Sequence, residues 1–298
     1  MTAYTETWVP GPHSTSFYTR TYEAASPVAL LVNVHGAPEH SGRYTDAHLL
    51  LAEQEITVFS YDQRGFGRTA LDAEHKSKDS AYGKTNWNAA LEDLDWAVHY
   101  AHKQHPELPI FIMGSSMGGT LCLGFVARPG PPERHASVAL LSGVIASAPT
   151  FLLTERPSRL LHVVVTALSV VTPYKLLPMK HDPKTNKAYL EDPLIKEPGS
   201  FRSVYDLVTE GERMLKEHHK QWPAKLPLLV LQGSADQMSD PVATQAFFEK
   251  LVAEDKKLAM YPNAGHELHN EAPQDQVAEE CVEFMKRIAA GERARSAE

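Results

Sequence analysis

Gly114-Ser115-Ser116-Met117-Gly118-Gly119 is preceded by the apolar run Ile110-Phe111-Ile112-Met113 and followed by Thr120-Leu121-Cys122-Leu123-Gly124-Phe125-Val126-Ala127. The order reads as strand, sharp turn, helix. A serine at the centre of Gly-x-Ser-x-Gly in that setting sits on a strained turn that raises its hydroxyl above the ends of a sheet. A side chain at position 114 or 118 would collide with backbone where the chain doubles back, and Gly119 keeps the helix close to the strand. Ser116 is therefore the candidate nucleophile. The bare five-residue pattern arises by chance in roughly a tenth of chains of this length. The reading therefore depends on its flanking elements, and on an acid and then a histidine appearing later in the chain.

Upstream, Thr15 to Glu23 and Val28 to Val34 read as strands, the second almost wholly apolar, as expected of a strand covered on both faces. It runs into His35-Gly36-Ala37-Pro38, the place where a backbone N–H could build an oxyanion hole. Pro38 has no N–H, which leaves Ala37 as the first candidate donor and Met117, following the nucleophile, as the second. Tyr44 to Gln54 is expected to be helical and Ile56 to Tyr61 a strand that enters the glycine-punctuated turn Asp62 to Thr69. Asp62 and Arg64 on that turn are read as bracing charges. Trp87 to Gln104 has the spacing of a long amphipathic helix.

Downstream, Ser137 to Ser142 reads as a further buried strand, and the repeated alternation of strand and helix predicts a mostly parallel sheet with helices on both faces. The alternation stops at Ala148, and prolines at 149, 157, 173, 178, 183, 193 and 198 interrupt the stretch to about Glu217. Residues 1–147 and 218–298 are thus expected to form the core and 148–217 an inserted cap. The sheet resumes at Pro227 to Gln232, ahead of Gly233-Ser234-Ala235-Asp236. A strand-end aspartate can hold a histidine in the right tautomer, which makes Asp236 the candidate acid. Asp240, just before Pro241, reads better as a helix cap. Lys257 to Tyr261 is the last expected strand, and His266 in the loop after it is the candidate base, with His269 its competitor. His218 and His219 fall in a polar stretch expected to be exposed. Gln274 to Ala289 should close the chain as a helix, with a frayed tail from Gly291.

A net charge of -8 argues against nucleic acid or a strongly anionic surface as the main partner. Both cysteines, Cys122 and Cys281, lie in apolar helical patterns, so no disulfide is expected. Met1 to Pro12 lacks a basic segment followed by an apolar one, and no run approaches about 18 apolar residues. The expectation is a cytoplasmic protein without a spanning helix.

Val34 to Tyr44, Asp62 to Gly67, Gly114 to Gly119, Gln232 to Asp236, Gly265-His266 and Asp192-Pro193-Leu194-Ile195 resemble the α/β-hydrolase superfamily, and within it the monoglyceride lipase and lysophospholipase group. The resemblance covers nearly the whole chain. It implies Ser116, Asp236 and His266 as a catalytic triad, Ala37 and Met117 as oxyanion-hole donors, a monoacylglycerol ester as substrate, and neither a metal nor an organic cofactor. Lysophospholipase, broad carboxylesterase and peptidase activities share the same machinery, and a noncatalytic binding protein can share the scaffold. One position departs from the family pattern: Ser115 stands where that family usually carries histidine.

Arg159 to Val171, within the expected cap, has two readings. At about 100° per residue Arg159, His162, Thr166 and Ser169 share one narrow stripe and leave a wide apolar arc. Either the helix is buried on two sides, or Leu160, Val164 and Leu168 face outward at the mouth of a pocket and bind substrate. In the second case they would touch a membrane or lipid droplet peripherally.

Overall fold

The apolar runs pair into one eight-stranded sheet, and the period of two along each strand sets what its two faces carry. The computed structural model describes residues 4–177, 187–196 and 199–296. The strands are β1 (Thr5–Pro10), β2 (Ser16–Tyr22), β3 (Ala29–Val34), β4 (Ile56–Tyr61), β5 (Ile110–Ser115), β6 (Leu141–Ser147), β7 (Leu228–Gly233) and β8 (Lys256–Tyr261). The helices are α1 (Thr45–Glu53), α2 (Gly67–Leu71), α3 (Trp87–Gln104), α4 (Met117–Ala127), α5 (Pro132–Val138), α6 (Arg159–Val171), α7 (Lys187–Leu190), α8 (Phe201–Lys216), α9 (Pro241–Lys250) and α10 (Gln274–Ser296). The spatial order is β1-β2-β4-β3-β5-β6-β7-β8. β1 pairs antiparallel with β2, and β2 with β4; every later pairing is parallel.

On one face Leu30, Val32 and Val34 of β3 pack with Leu94 and Val98 of α3 and with Leu121 and Phe125 of α4. On the other, Ala29 and Leu31 join Leu51 of α1 and Val277, Cys281 and Met285 of α10. Burying one such aliphatic side chain contributes about 1.5–3 kcal/mol. A slip of one residue would turn a strand's whole set to the wrong layer, so the register is strongly fixed. Cys122 and Cys281 are free and buried. Among the described residues no helix is long and apolar enough to cross a membrane.

Several elements differ from the sequence reading. β1 is an edge strand, exposed along most of its length, and it carries no apolar run that would mark it in the sequence. The strand expected over 137–142 lies at Leu141–Ser147, because Pro132 starts a helix that takes up Ser137 and Val138. β6 also continues through Gly143, a poor strand former that parallel pairing with β5 overrides. The turn after β4 contains a short helix, α2. Instead of fraying at Gly291, α10 runs to Ser296, and Ser142 Oγ of β6 donates to Glu292 at 2.9 Å. His218 and His219 are buried rather than exposed, since the turn that carries them folds back beside α8 and α4. There His219 Nδ1 lies 3.2 Å from the Met214 carbonyl.

The stretch 148–217 is held to the loop after β7 and to the start of α3. Leu153 bridges Ser239, and Asp206 of α8 accepts the first N–H of α3, from Trp87, at 2.9 Å. Pro178, Pro183 and Pro198, expected to interrupt this stretch, lie outside the described residues. α6 is helical despite its valines, with Ser158 capping the Leu161 N–H at 3.2 Å and Pro173 just past its end. It packs beside α8, and its burial is inverted: Ser169 is 2% exposed, whereas Leu160, Val170 and Val171 are 75%, 74% and 76% exposed. Val164 is also exposed and Leu168 is half-buried, so the helix is not buried on two sides.

Candidate active site

β5 ends at Ser115 and α4 begins at Met117, which leaves Ser116 alone at the corner with φ 55° and ψ -120°. A positive φ is strained for a residue with a side chain, and the surroundings hold it. A Cβ at Gly114 would lie 2.2 Å from the Gly118 backbone, and one at Gly118 would lie 2.2 Å from the Val34 carbonyl oxygen. Both positions therefore exclude any side chain by close approach. Ser115 is buried in the strand opposite Ser147, while Ser116 is half-buried at the sheet's carboxyl edge. The Ser116 N–H donates to the Ser147 carbonyl at 2.9 Å.

Asp236 follows β7 and His266 follows β8, the neighbouring strand. His266 Nδ1 lies 2.8 Å from Asp236 Oδ2. The other carboxylate oxygen accepts the N–H groups of Met238 and Ser239 at 2.8 and 2.9 Å, and Gln232 Nε2 donates to Oδ2 at 3.0 Å. Burial raises the Asp236 pKa, but the His266 hydrogen bond and charge, with the two backbone N–H groups, hold it below the ordinary carboxylate value. For His266 burial acts downward, and the Asp236 hydrogen bond and charge, then Glu39 and Glu267, outweigh it and lift the pKa above 6.5. The Asp236 side chain is fully sealed, while His266 keeps 17% of its side chain accessible, the exposure a base needs. His269 is unlike it: burial pushes its pKa down to about 3, and its ring stacks on Tyr44 at 4.2 Å. Asp240 caps α9 through the Val242 N–H.

On the opposite side of Ser116, His35 fixes the loop after β3. Its Nε2 accepts the Gln63 N–H at 2.8 Å, so Nδ1 carries the hydrogen and donates to the Gly36 carbonyl at 2.7 Å. Burial keeps this ring neutral by lowering its pKa to about 4. The Gly36 N–H donates to Tyr44 Oη at 3.2 Å, and that hydroxyl donates to Glu39 Oε2 at 2.5 Å. Burial, and then the Glu267 charge, raise the Glu39 pKa. Among the described residues the N–H groups of Ala37 and Met117 donate to no protein acceptor.

Asp62 and Arg64 brace separate contacts. Asp62 accepts from the Ser41 N–H and Oγ and from the Arg68 N–H, while Arg64 clasps Asp93 with two nitrogens. The stretch 148–217 reaches the site through His40–Asp192 at 2.8 Å and through Arg43, which lies over the Tyr189 ring at 4.8 Å. Leu160 and Val164 stand on the outer surface of α6. The sequence reading missed Thr150, whose Oγ1 lies 3.4 Å from Ser116 Oγ and 2.7 Å from Ser239 Oγ. It also missed the Glu39–Tyr44 pair, which lies in a stretch quoted for the resemblance but given no role there.

A family model described as serine aminopeptidase, S33, matches residues 25–273. The chain is 30% identical to human monoglyceride lipase over 84% of this chain and 78% of that protein. Its fold is similar to a soluble variant of Saccharomyces cerevisiae monoglyceride lipase solved with a substrate analog, at 22% identity, with a TM-score of 0.82, covering 97% of this chain and 96% of the other. The monoacylglycerol lipase of Paleococcus ferrophilus is similar at 25% identity, with a TM-score of 0.75, over 91% of this chain and 99% of that one.

Proposed function

The chain belongs to the monoglyceride lipase family of α/β-hydrolases, and from that premise we propose that it hydrolyses monoacylglycerols to glycerol and a free fatty acid with Ser116, His266 and Asp236 as its triad. The observation that carries this reading is the sealed Asp236 held 2.8 Å from His266, whose side chain is 17% accessible, at the same sheet edge as a strained serine. Ser116 Oγ attacks the ester carbonyl as His266 Nε2 takes its proton, and the N–H groups of Ala37 and Met117 hold the oxyanion. Each such donor lowers the barrier by about 3 kcal/mol. Glycerol leaves with the proton that His266 returns. Water activated by the same ring then releases the fatty acid from Ser116.

The apolar face of α6 supports the lipid substrate and a peripheral contact with a membrane or lipid droplet. Leu160, Leu161, Val163, Val164, Val170 and Val171 are exposed on a short helix, a surface that binds a lipid interface weakly and reversibly. An aminopeptidase would need a free carboxylate for the substrate amine. Glu267 is paired with Arg43 at 2.7 Å, and Glu39 is held by Tyr44. The test is the purified protein assayed against monoacylglycerols, lysophospholipids, short p-nitrophenyl esters and amino-acid amides. Long-chain monoacylglycerol should be cleaved with the highest kcat/KM; a higher value for lysophospholipid or an amide overturns the substrate assignment.

A further inference from the structure

The loop after β6 places a hydroxyl beside the nucleophile with unusual constraint. The Thr150 carbonyl accepts from Thr120 Oγ1 at 3.0 Å, and Gly211 of α8 packs so close that a Cβ there would lie 2.4 Å from that oxygen. Thr150 and Ser239 are both buried. Ser239 is in turn fixed by its own N–H, which donates to Asp236 Oδ1 at 2.9 Å. Among the described residues the hydrogen-bond partner of Ser239 Oγ is Thr150 Oγ1, at 2.7 Å. One arrangement gives each buried hydroxyl hydrogen an acceptor. Ser239 donates to Thr150 and Thr150 donates to Ser116 Oγ, an arrangement in which the Ser116 hydrogen is not spent on either neighbouring hydroxyl.

Resting on the serine-hydrolase reading, we propose that Thr150 is a further catalytic residue, donating a hydrogen bond to Ser116 Oγ when that oxygen leaves the acyl group, with Ser239 as its positioning residue. In deacylation, water adds to the acyl carbon as His266 Nε2 takes its proton. The carbon–Oγ bond then breaks, its electron pair stays on Oγ, and His266 returns the proton to that oxygen. Thr150 keeps its own proton throughout and stabilises the charge that builds on Oγ before the transfer is complete. The 3.4 Å separation is long for hydroxyl oxygens. Such contacts tighten as charge develops.

Stopped-flow hydrolysis of p-nitrophenyl acetate separates the steps, because the burst reports acylation and the following steady state reports deacylation. Thr150→Val should slow the steady state about tenfold, the worth of a hydrogen bond to a charged oxygen, and slow the burst, in which the same oxygen carries charge as it attacks, by no more than that. Thr150→Ser should restore the wild-type rate. Ser239→Ala should slow the steady state by a smaller factor, with the pH midpoint of kcat/KM unmoved in all three variants. A wild-type or faster steady state in Thr150→Val, or burst and steady state slowed equally in both Thr150 variants, overturns the proposal. Ser116→Ala run alongside keeps the two readings apart. If it is inactive the serine-hydrolase reading stands whatever Thr150 does, and if it still turns over that reading fails first.

Discussion

The corner at 114–119 and the helix at 159–171 obey opposite burial rules. In α4, just past the corner, every residue is buried, and its polar Thr120 hydroxyl is bonded to the Thr150 carbonyl. In α6 the polar Ser169 is buried and the aliphatic residues face outward. The first pattern is what a chain does to satisfy itself. The second leaves apolar surface that nothing among the described residues covers, the kind of surface that marks an interaction with something outside the chain. The proposed function places chemistry and substrate access in regions that stability constrains very differently, and substitutions should separate them.

The largest effects belong to the corner and its partners. Ser116→Ala and His266→Ala should each lower kcat by about 10⁴-fold or more, with the melting temperature nearly unchanged. His269→Ala should do the reverse, costing stability through the lost stack on Tyr44 and a much smaller share of kcat. A greater loss of kcat in His269→Ala than in His266→Ala would reassign the base.

A smaller and more selective effect is expected from α6. Leu160→Asp combined with Val170→Asp removes two exposed apolar groups. It should slow hydrolysis of long-chain monoacylglycerol in vesicles by about tenfold, with a soluble short-chain ester within about twofold and unfolding free energy changed by about 0.5 kcal/mol or less. If both substrates and the melting temperature fall together, α6 belongs to the core and the contrast between the two regions collapses. If the variant changes oligomeric state and not vesicle activity, a second copy of the chain, not lipid, covers this face.

This division also explains what could be read from the sequence. Residues 110–127, the strand ends at 35–37 and 236, and the loop histidine at 266 carry signals of local origin: apolar runs, glycines at a tight turn, an acid at a strand end. The same local signals placed α3 at Trp87–Gln104 and α6 at Arg159–Val171, where the structure has them. What remained hidden depends on contacts distant in sequence. Thr150 meets Ser239 across 89 residues. β1 exists only through its pairing with β2. The burial of His218 and His219 comes from the packing of their turn beside α8 and α4. The inversion of α6 was one of two readings that its periodicity allowed, since a helical wheel gives the stripe but not which side is wet.

The smallest expected effect is a shift in pH dependence. Neutral imidazole is the active form, and the His266 pKa is raised, so kcat/KM should rise with pH through a midpoint above 6.5. Glu39→Gln removes one of the carboxylates that favour the imidazolium, so the midpoint should move down; an unmoved or higher midpoint contradicts the electrostatic account of the site.

The most direct test of the central claim, that covalent chemistry resides on Ser116, is peptide mapping of the protein after reaction with a fluorophosphonate probe. The account predicts one adduct, on Ser116, lost in Ser116→Ala and prevented by prior incubation with long-chain monoacylglycerol. An adduct on the buried neighbour Ser115, or labelling that survives in Ser116→Ala, would contradict it.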